Sequence, residues 1–306
     1  MTSFLREGRA RPVAIWLFVI AAMVFAMVVV GGSTRLTNSG VSITQWKLLS
    51  GTLPPLNTAQ WQAEFDHYKQ IPQYKLLNPN MTLDGFKYIF WWEWSHRLLG
   101  RLVGVAFAVP FVVFLWRRMM PVRLIWRCLV LFALGGLQGV VGWWMVYSGL
   151  ADRTEVAPER LTVHLGLALI LFCALIWTGL EAWAGPKRPF DRKGWPEAAL
   201  GLMILVFMQI LLGGLVAGNR AGLIYNDWPF FGGQLWPSDY AIGGLRQTLL
   251  HSLAAVQANH RVVAYVLFVV TWAAALQALR SRYLPKDLGG LALILASWSQ
   301  FRRPWG

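Results

Sequence analysis

The chain has 306 residues, 56% of them hydrophobic and only 14% charged, a balance that excludes a soluble globular enzyme and points to a polytopic helical membrane protein. Its net charge of +14 would suit a nucleic-acid partner, but the basic residues cluster in short segments between apolar runs, which is a topology signal instead. Cys128 and Cys173 both lie in apolar runs and read as buried thiols, not as a disulfide or redox pair.

Arg6, Arg9 and Arg11 precede the first apolar run, and no small-residue cleavage site follows it, so a retained first span is expected. Apolar stretches predict spans near 13–32, 97–116, 124–147, 161–182, 198–217 and 258–279, each long enough for a hydrocarbon layer of roughly 30 Å. A seventh run starts at Leu288 and stops short. The N-terminal arginines, Arg117, Arg118, Arg123 and Arg127, then Lys187, Arg188, Arg192 and Lys193, and finally Arg280, Arg282 and Lys286 make up half of the 28 basic residues. All fall on one side if every span crosses once. The positive-inside bias makes that side cytoplasmic, with the N-terminus on it.

Residues 33–95 form a long outer segment whose Trp46, Trp61, Trp91, Trp92 and Trp94 suit an interfacial aromatic belt. Short amphipathic surface helices are expected at 59–70 and 81–92. In the third span Gly135, Gly136, Gly139 and Gly142 form a small-residue face expected to serve close helix packing.

An internal repeat is visible. Gly31-Gly32, Gly40 and Trp46 recur as Gly213-Gly214, Gly222 and Trp228 at an offset of 182, and His96-Arg97 recurs as His260-Arg261 at 164. Both sets lie where a span meets an outer loop, which favours duplication into halves over 1–185 and 186–306.

Topology sorts the five histidines. His67 and His251 fall in outer segments and read as solvated. His96, His164 and His260 each open a span from the outer side and share one depth. A lone intramembrane histidine is commonly a helix–helix hydrogen-bonding residue, but three at one level suit haem, which takes one nitrogen on each face of the macrocycle. Zinc would want a third or fourth ligand, and Glu93 is the sole carboxylate nearby. Glu93 lies three residues before His96, on the same helical face. It could serve chemistry or pair with an arginine. Arg97, Arg101 and Arg261 suit either snorkelling to the interface or contacts to carboxylates such as haem propionates. A transporter built on the repeat would need broken helices and polar groups at the midplane; the polar groups here lie at the outer ends.

Five stretches carry a family resemblance: Gly-Gly-Ser-Thr-Arg-Leu-Thr-Asn-Ser-Gly at 31–40, Glu-Trp-Ser-His-Arg at 93–97, Val163-His164-Leu165-Gly166, Ala217-Gly218-Asn219-Arg220-Ala221-Gly222 with Asn226-Asp227-Trp228-Pro229, and Val256-Gln257-Ala258-Asn259-His260-Arg261. With these, residues 1–287 resemble the haem A synthases of proteobacteria and mitochondria. The resemblance implies an all-α polytopic protein of eight spans in two four-helix bundles, the first complete here and the second incomplete. It implies that His96 and His164 hold the substrate haem O, with Glu93 catalytic, and that His260 is an axial ligand of a haem b that relays electrons. Arg97, Arg101 and Arg261 would contact propionates. The implied reaction oxidises the C8 methyl of haem O to an alcohol and then a gem-diol, which loses water to give the formyl of haem A for terminal oxidases. The implied setting is the cell inner membrane, with the haem sites near the periplasmic side. The implied partners are a haem O synthase handing over substrate, a membrane electron donor, lipid and a homo-oligomeric copy, and not nucleic acid. The alternative is a bis-histidine b-type membrane cytochrome without oxygenation chemistry, which would not need Glu93. After Leu288 the pattern departs and no histidine follows His260. A truncated or frameshifted C-terminus, lacking the partner of His260 and impairing activity, is the expectation.

Overall fold

The computed structural model describes residues 11–47, 50–151, 153–185 and 195–280. Arg6, Arg9, Lys187, Arg188, Arg192, Lys193, Arg282, Lys286 and the run from Leu288 lie outside the described residues. The described chain is helical, and six of its helices are long and apolar enough to cross a membrane: α1 (Arg11–Leu36), α4 (Leu83–Trp116), α5 (Val122–Ala151), α6 (Pro158–Ala184), α7 (Trp195–Gly218) and α9 (Leu253–Arg280). They coincide with the six expected spans. Shorter helices α2 (Thr58–Tyr68) and α3 (Pro72–Leu77) lie between α1 and α4, and α8 (Leu245–His251) precedes α9. The chain is an all-α polytopic membrane protein.

The expected surface helix at 81–92 is not a separate element. It is the first part of α4, capped by the Thr82 side chain, which accepts from the Gly85 N–H. At 1.5 Å per residue α4 runs about 50 Å, well beyond a hydrocarbon layer of roughly 30 Å, so its first turns rise out of it. The sequence hides this continuity because Phe90, Trp91, Trp92 and Trp94 look like a belt that ends a span. The surface helix expected at 59–70 is α2, started by Asn57, whose side chain accepts from Gln60 N–H.

The chain divides into two compact units, Met1–Arg188 and Pro189–Gly306. In the first, α1 packs on α4 and α6 while α5 packs on α4 and α6, a closed four-helix ring. One end of the ring is a dry core. Val13, Leu17, Ile20 and Val24 of α1 meet Phe107 and Phe111 of α4, Leu124, Cys128 and Leu131 of α5, and Leu171 and Leu175 of α6. Trp16 packs on Phe107, ring centroids 4.8 Å apart, and its indole donates to Ala106 O at 2.8 Å, which satisfies its buried N–H. On α6, Gly179 lets Phe18 approach; a Cβ there would fall 2.6 Å from the ring. Arg123 and Arg127 of α5 pair with Glu181 of α6 at this end.

The other end is capped by a second apolar cluster in which Phe65, Tyr68, Ile71 and Phe86 join Val41 and Val156. Of the two thiols expected to be buried, Cys128 is and Cys173 is exposed on the outside of the ring. In the second unit the described spans are α7 and α9, which pack on each other with Leu215, Ala221 and Val256 between them.

Candidate functional site

His96 and His164 both sit at the capped end of the first unit, close enough to feel one another electrostatically. Each ring rests on a glycine of a neighbouring helix. A Cβ on Gly31 of α1 would lie 3.1 Å from His96 Nε2, and one on Gly142 of α5 would lie 2.9 Å from His164 Cε1. In the second unit a Cβ on Gly213 of α7 would lie 3.2 Å from His260 Cε1. A methyl group at any of the three would crowd the imidazole.

The glycine face of α5 therefore has a different use from the one expected. A Cβ on Gly135, Gly136 or Gly139 would meet nothing within 4 Å; Gly142 alone of the four touches a partner, and that partner is a histidine. We expect Gly142→Ala to overpack the seat and cost about 1–3 kcal/mol. Gly139→Ala should stabilise α5 by up to about 1 kcal/mol. Thermal unfolding of the two variants in the same detergent checks the contrast, and equal shifts would count against the seat.

The repeat is realised in side-chain contacts as well as letters. Arg97 donates to the carbonyls of Ile43, at 2.8 Å, and Gln45, at 3.2 Å. Arg261 donates to those of Tyr225 and Asp227, the same two positions displaced by 182. Arg97 lies over Trp46 and Arg261 over Phe231, and Arg261 also reaches Phe230 O at 2.8 Å. Arg101 donates to Lys47 O at 2.9 Å. Neither reading of these arginines anticipated this: they clamp the loop that follows α1 or α7 onto the histidine-bearing helix. Backbone carbonyl acceptors leave no trace in a sequence.

Glu93 is buried, 3% exposed, and belongs to this clamp. Its Oε2 accepts from Ser42 Oγ and Ile43 N–H, both at 2.8 Å, and its Oε1 accepts from Arg97 at 2.5 Å. The position 164 residues on, matching His96 to His260, is Gln257. It too is buried and donates to Gly222 O and Tyr225 O, both at 3.1 Å. The two units thus share a clamp and differ in charge at its centre. Gln257 stood within a quoted motif without a role; the offset of the histidines would have found it.

Gln138 and Gln209 were also missed. Gln138 Nε2 donates to His164 O at 3.0 Å and lies 3.4 Å from His164 Nε2. Gln209 Nε2 lies 3.1 Å from His260 Nδ1. Of the remaining histidines, His67 lies on α2 against Gln45 and His251 ends α8; neither joins a site. Among the described residues no three His, Cys, Asp or Glu side chains gather as metal ligands. A cavity of about 390 Å³ opens beside Arg97, lined by Trp46, Trp143, Tyr147 and Leu150, and one of about 300 Å³ flanks Asn259, lined by Met208, Leu212 and Trp236.

Asp227 organises the second loop. Backbone N–H groups of Gly233 and Gly232 donate to it and hold its carboxyl below the usual range near 3.8. A depressed folded value stabilises the loop fully above the ordinary carboxylate range and is lost as pH falls through the folded value. We expect faster amide exchange at Gly232 and Gly233 in Asp227→Asn, and convergence of the two proteins in strong acid.

The family of cytochrome oxidase assembly proteins (COX15-CtaA) matches residues 14–299, well over half of the chain. The chain belongs to this family. Its relatives include proteins named heme A synthase from Caulobacter sp. (strain K31), 62% identical over 96% of this chain and 86% of the relative, and from Caulobacter vibrioides, 58% identical over 97% and 87%. Another, from Parvibaculum lavamentivorans, is 53% identical over 87% and 78%. No solved structure matches the chain. The match to the haem A synthase family reaches residue 299, past the Leu288 at which the motif pattern departs.

Proposed function

We propose that this chain is a haem A synthase, an inner-membrane oxidoreductase that converts the C8 methyl of haem O to the formyl group of haem A for terminal oxidases. The observation that supports this best is the unlike residue at like sites: one clamp has a buried carboxylate at its centre, Glu93, and the other the neutral Gln257. Electron relay alone does not need a carboxylate beside a haem ligand, whereas oxidation of a methyl group needs a group that can take protons. The names of the relatives agree with this reading.

The residues present suit haem. His96 and His164 bring imidazole donors to the apolar capped end of the first bundle, each beside a glycine that adds no side chain at the ring. His164 Nδ1 is buried with no hydrogen-bond partner, as expected of a ring nitrogen whose partner is not a protein group. In this reading His96 and His164 hold the substrate haem O, and His260 holds a haem b in the second unit. The bound iron supplies the redox chemistry; the protein supplies ligation, orientation and a dry site. Arg97 neutralises Glu93 and fixes it. Ionised, the carboxylate offers about four acceptor sites; three are filled by Ser42, Ile43 and Arg97, which leaves room for one proton from substrate or water. In this reading Arg97, Arg101 and Arg261 contact the propionates, for which the planar guanidinium is suited. Substrate would arrive from a haem O synthase and electrons from a membrane donor. The N-terminus is cytoplasmic and the haem sites lie toward the periplasmic side.

Extraction of haems from membranes that contain this chain and a haem O source decides the reading. Haem A is the expected product; recovery of haem O alone, with the protein present and holding haem, would leave an electron carrier instead.

A further inference from the structure

Gln138 and Gln209 share a pattern that the proposed reaction does not use. Each stands four residues, about one helical turn, before the glycine on which a histidine rests: Gln138 before Gly142 for His164, and Gln209 before Gly213 for His260. The two cases occur in separate units, on α5 and on α7. A carboxamide within an apolar span is costly and rare without a task. In both, one end of the amide faces the imidazole, and the other, Oε1, is buried without a hydrogen-bond partner. The position equivalent to Gln209 on α1, 182 residues earlier, is Met27, so His96 has a glycine seat without an amide.

We propose that Gln138 and Gln209 are positioning residues that fix the tautomer and ring angle of His164 and His260 when these bind haem iron; this rests on the haem-binding reading above. A neutral imidazole has one N–H and one lone pair. When iron takes the lone pair, the other nitrogen must keep its hydrogen and needs an acceptor, which sets ring orientation and ligand basicity. Gln138 brings an amide within 3.4 Å of the His164 ring and Gln209 within 3.1 Å of the His260 ring. Half a turn about its last bond exchanges Nε2 for the unpartnered Oε1 and supplies the acceptor; at Gln138 the exchange gives up the bond to His164 O. A glutamine can thus serve the free ring and the ligating one, which neither an apolar side chain nor an obligate donor can. His96, with methionine at the equivalent place, would be held by its seat alone, so the two ligands proposed for haem O are unequally fixed.

The test uses the full chain, purified with haem in detergent, and compares wild type with Gln138→Leu, Gln138→Glu, Gln209→Leu and Gln209→Glu. Haem retention, the low-spin electron paramagnetic resonance signal and the midpoint potential are measured. The Leu variants should retain haem at the affected site roughly 10- to 100-fold less tightly, the usual effect of losing a group behind a metal ligand. Their potential should rise, because a less basic imidazole stabilises the oxidised iron less. The Glu variants keep an acceptor of greater strength, so their potential should fall. Shifts of opposite sign support the proposal. Unchanged spectra and potentials, or the same shift for Leu and Glu, reduce the glutamines to helix–helix contacts and overturn it. If the Leu variants do not accumulate, the Glu variants decide: a lowered potential supports and an unmoved one overturns. A wild-type protein that takes up no low-spin haem sinks the haem-binding reading itself, a different result from haem-loaded variants that behave like wild type.

Discussion

Glu93→Gln is expected to lose between about 10²- and 10⁴-fold in conversion of haem O to haem A, the range for removal of a positioned general acid or base, while the first unit stays folded. The second unit shows why folding should survive: with Gln257 at the equivalent place the amide turns its Nε2 to two carbonyls, and Arg261 holds its loop through carbonyl oxygens. Glutamine at 93 must lose one partner among Ser42, Ile43 and Arg97, at a cost of about 1–3 kcal/mol. Activity and stability should therefore part company. The ratio of haem A to haem O in extracted membranes reports the first, and thermal unfolding the second. A variant that converts within tenfold of wild type would strip Glu93 of any chemical role and leave it as a clamp.

The legible part of this protein was what hydrophobicity and periodicity record. Six spans follow from where apolar runs begin and end, and the offsets of 182 and 164 pointed to the paired arginine clamps. What stayed hidden has particular causes. The join of 83–96 to the second span was masked by tryptophans that mark an interface whether or not the helix continues through it. The four glycines of α5 looked alike, since a sequence cannot tell open glycines such as Gly139 from one that a ring sits on. The arginine clamps depend on main-chain oxygens at Ile43, Gln45, Tyr225 and Asp227, and every residue has such an oxygen. Gln138 and Gln209 did leave a signal: an amide one turn before a glycine, twice, in runs otherwise free of polar side chains.

Removing the two clamp arginines should have unequal consequences, because the groups they leave behind differ in charge. Arg97→Ala strands Glu93, 3% exposed, as a buried carboxylate without its cation, and breaking a buried pair from one side costs about 3–5 kcal/mol. Ser42 and Ile43 still donate to Glu93, which places the effect toward the lower end. Arg261→Ala strands the neutral Gln257 and frees carbonyls that the Gln257 amide partly covers; hydrogen bonds of about 0.5–1.5 kcal/mol each, the contact with Phe231 and a solvent-screened attraction to Asp227 are lost, and no buried charge is stranded. Glu93→Gln in the Arg97→Ala background should recover stability, since it removes the stranded charge; a coupling of about 0.5–3 kcal/mol is the usual size for groups in contact. Denaturant or thermal unfolding of the four proteins of that cycle, with Arg261→Ala alongside, measures all three quantities. If Arg97→Ala and Arg261→Ala cost the same, or if the double variant is no more stable than Arg97→Ala, the charge on Glu93 is not what distinguishes the two units. The division of labour between a reacting seat and a relaying one would then need another basis.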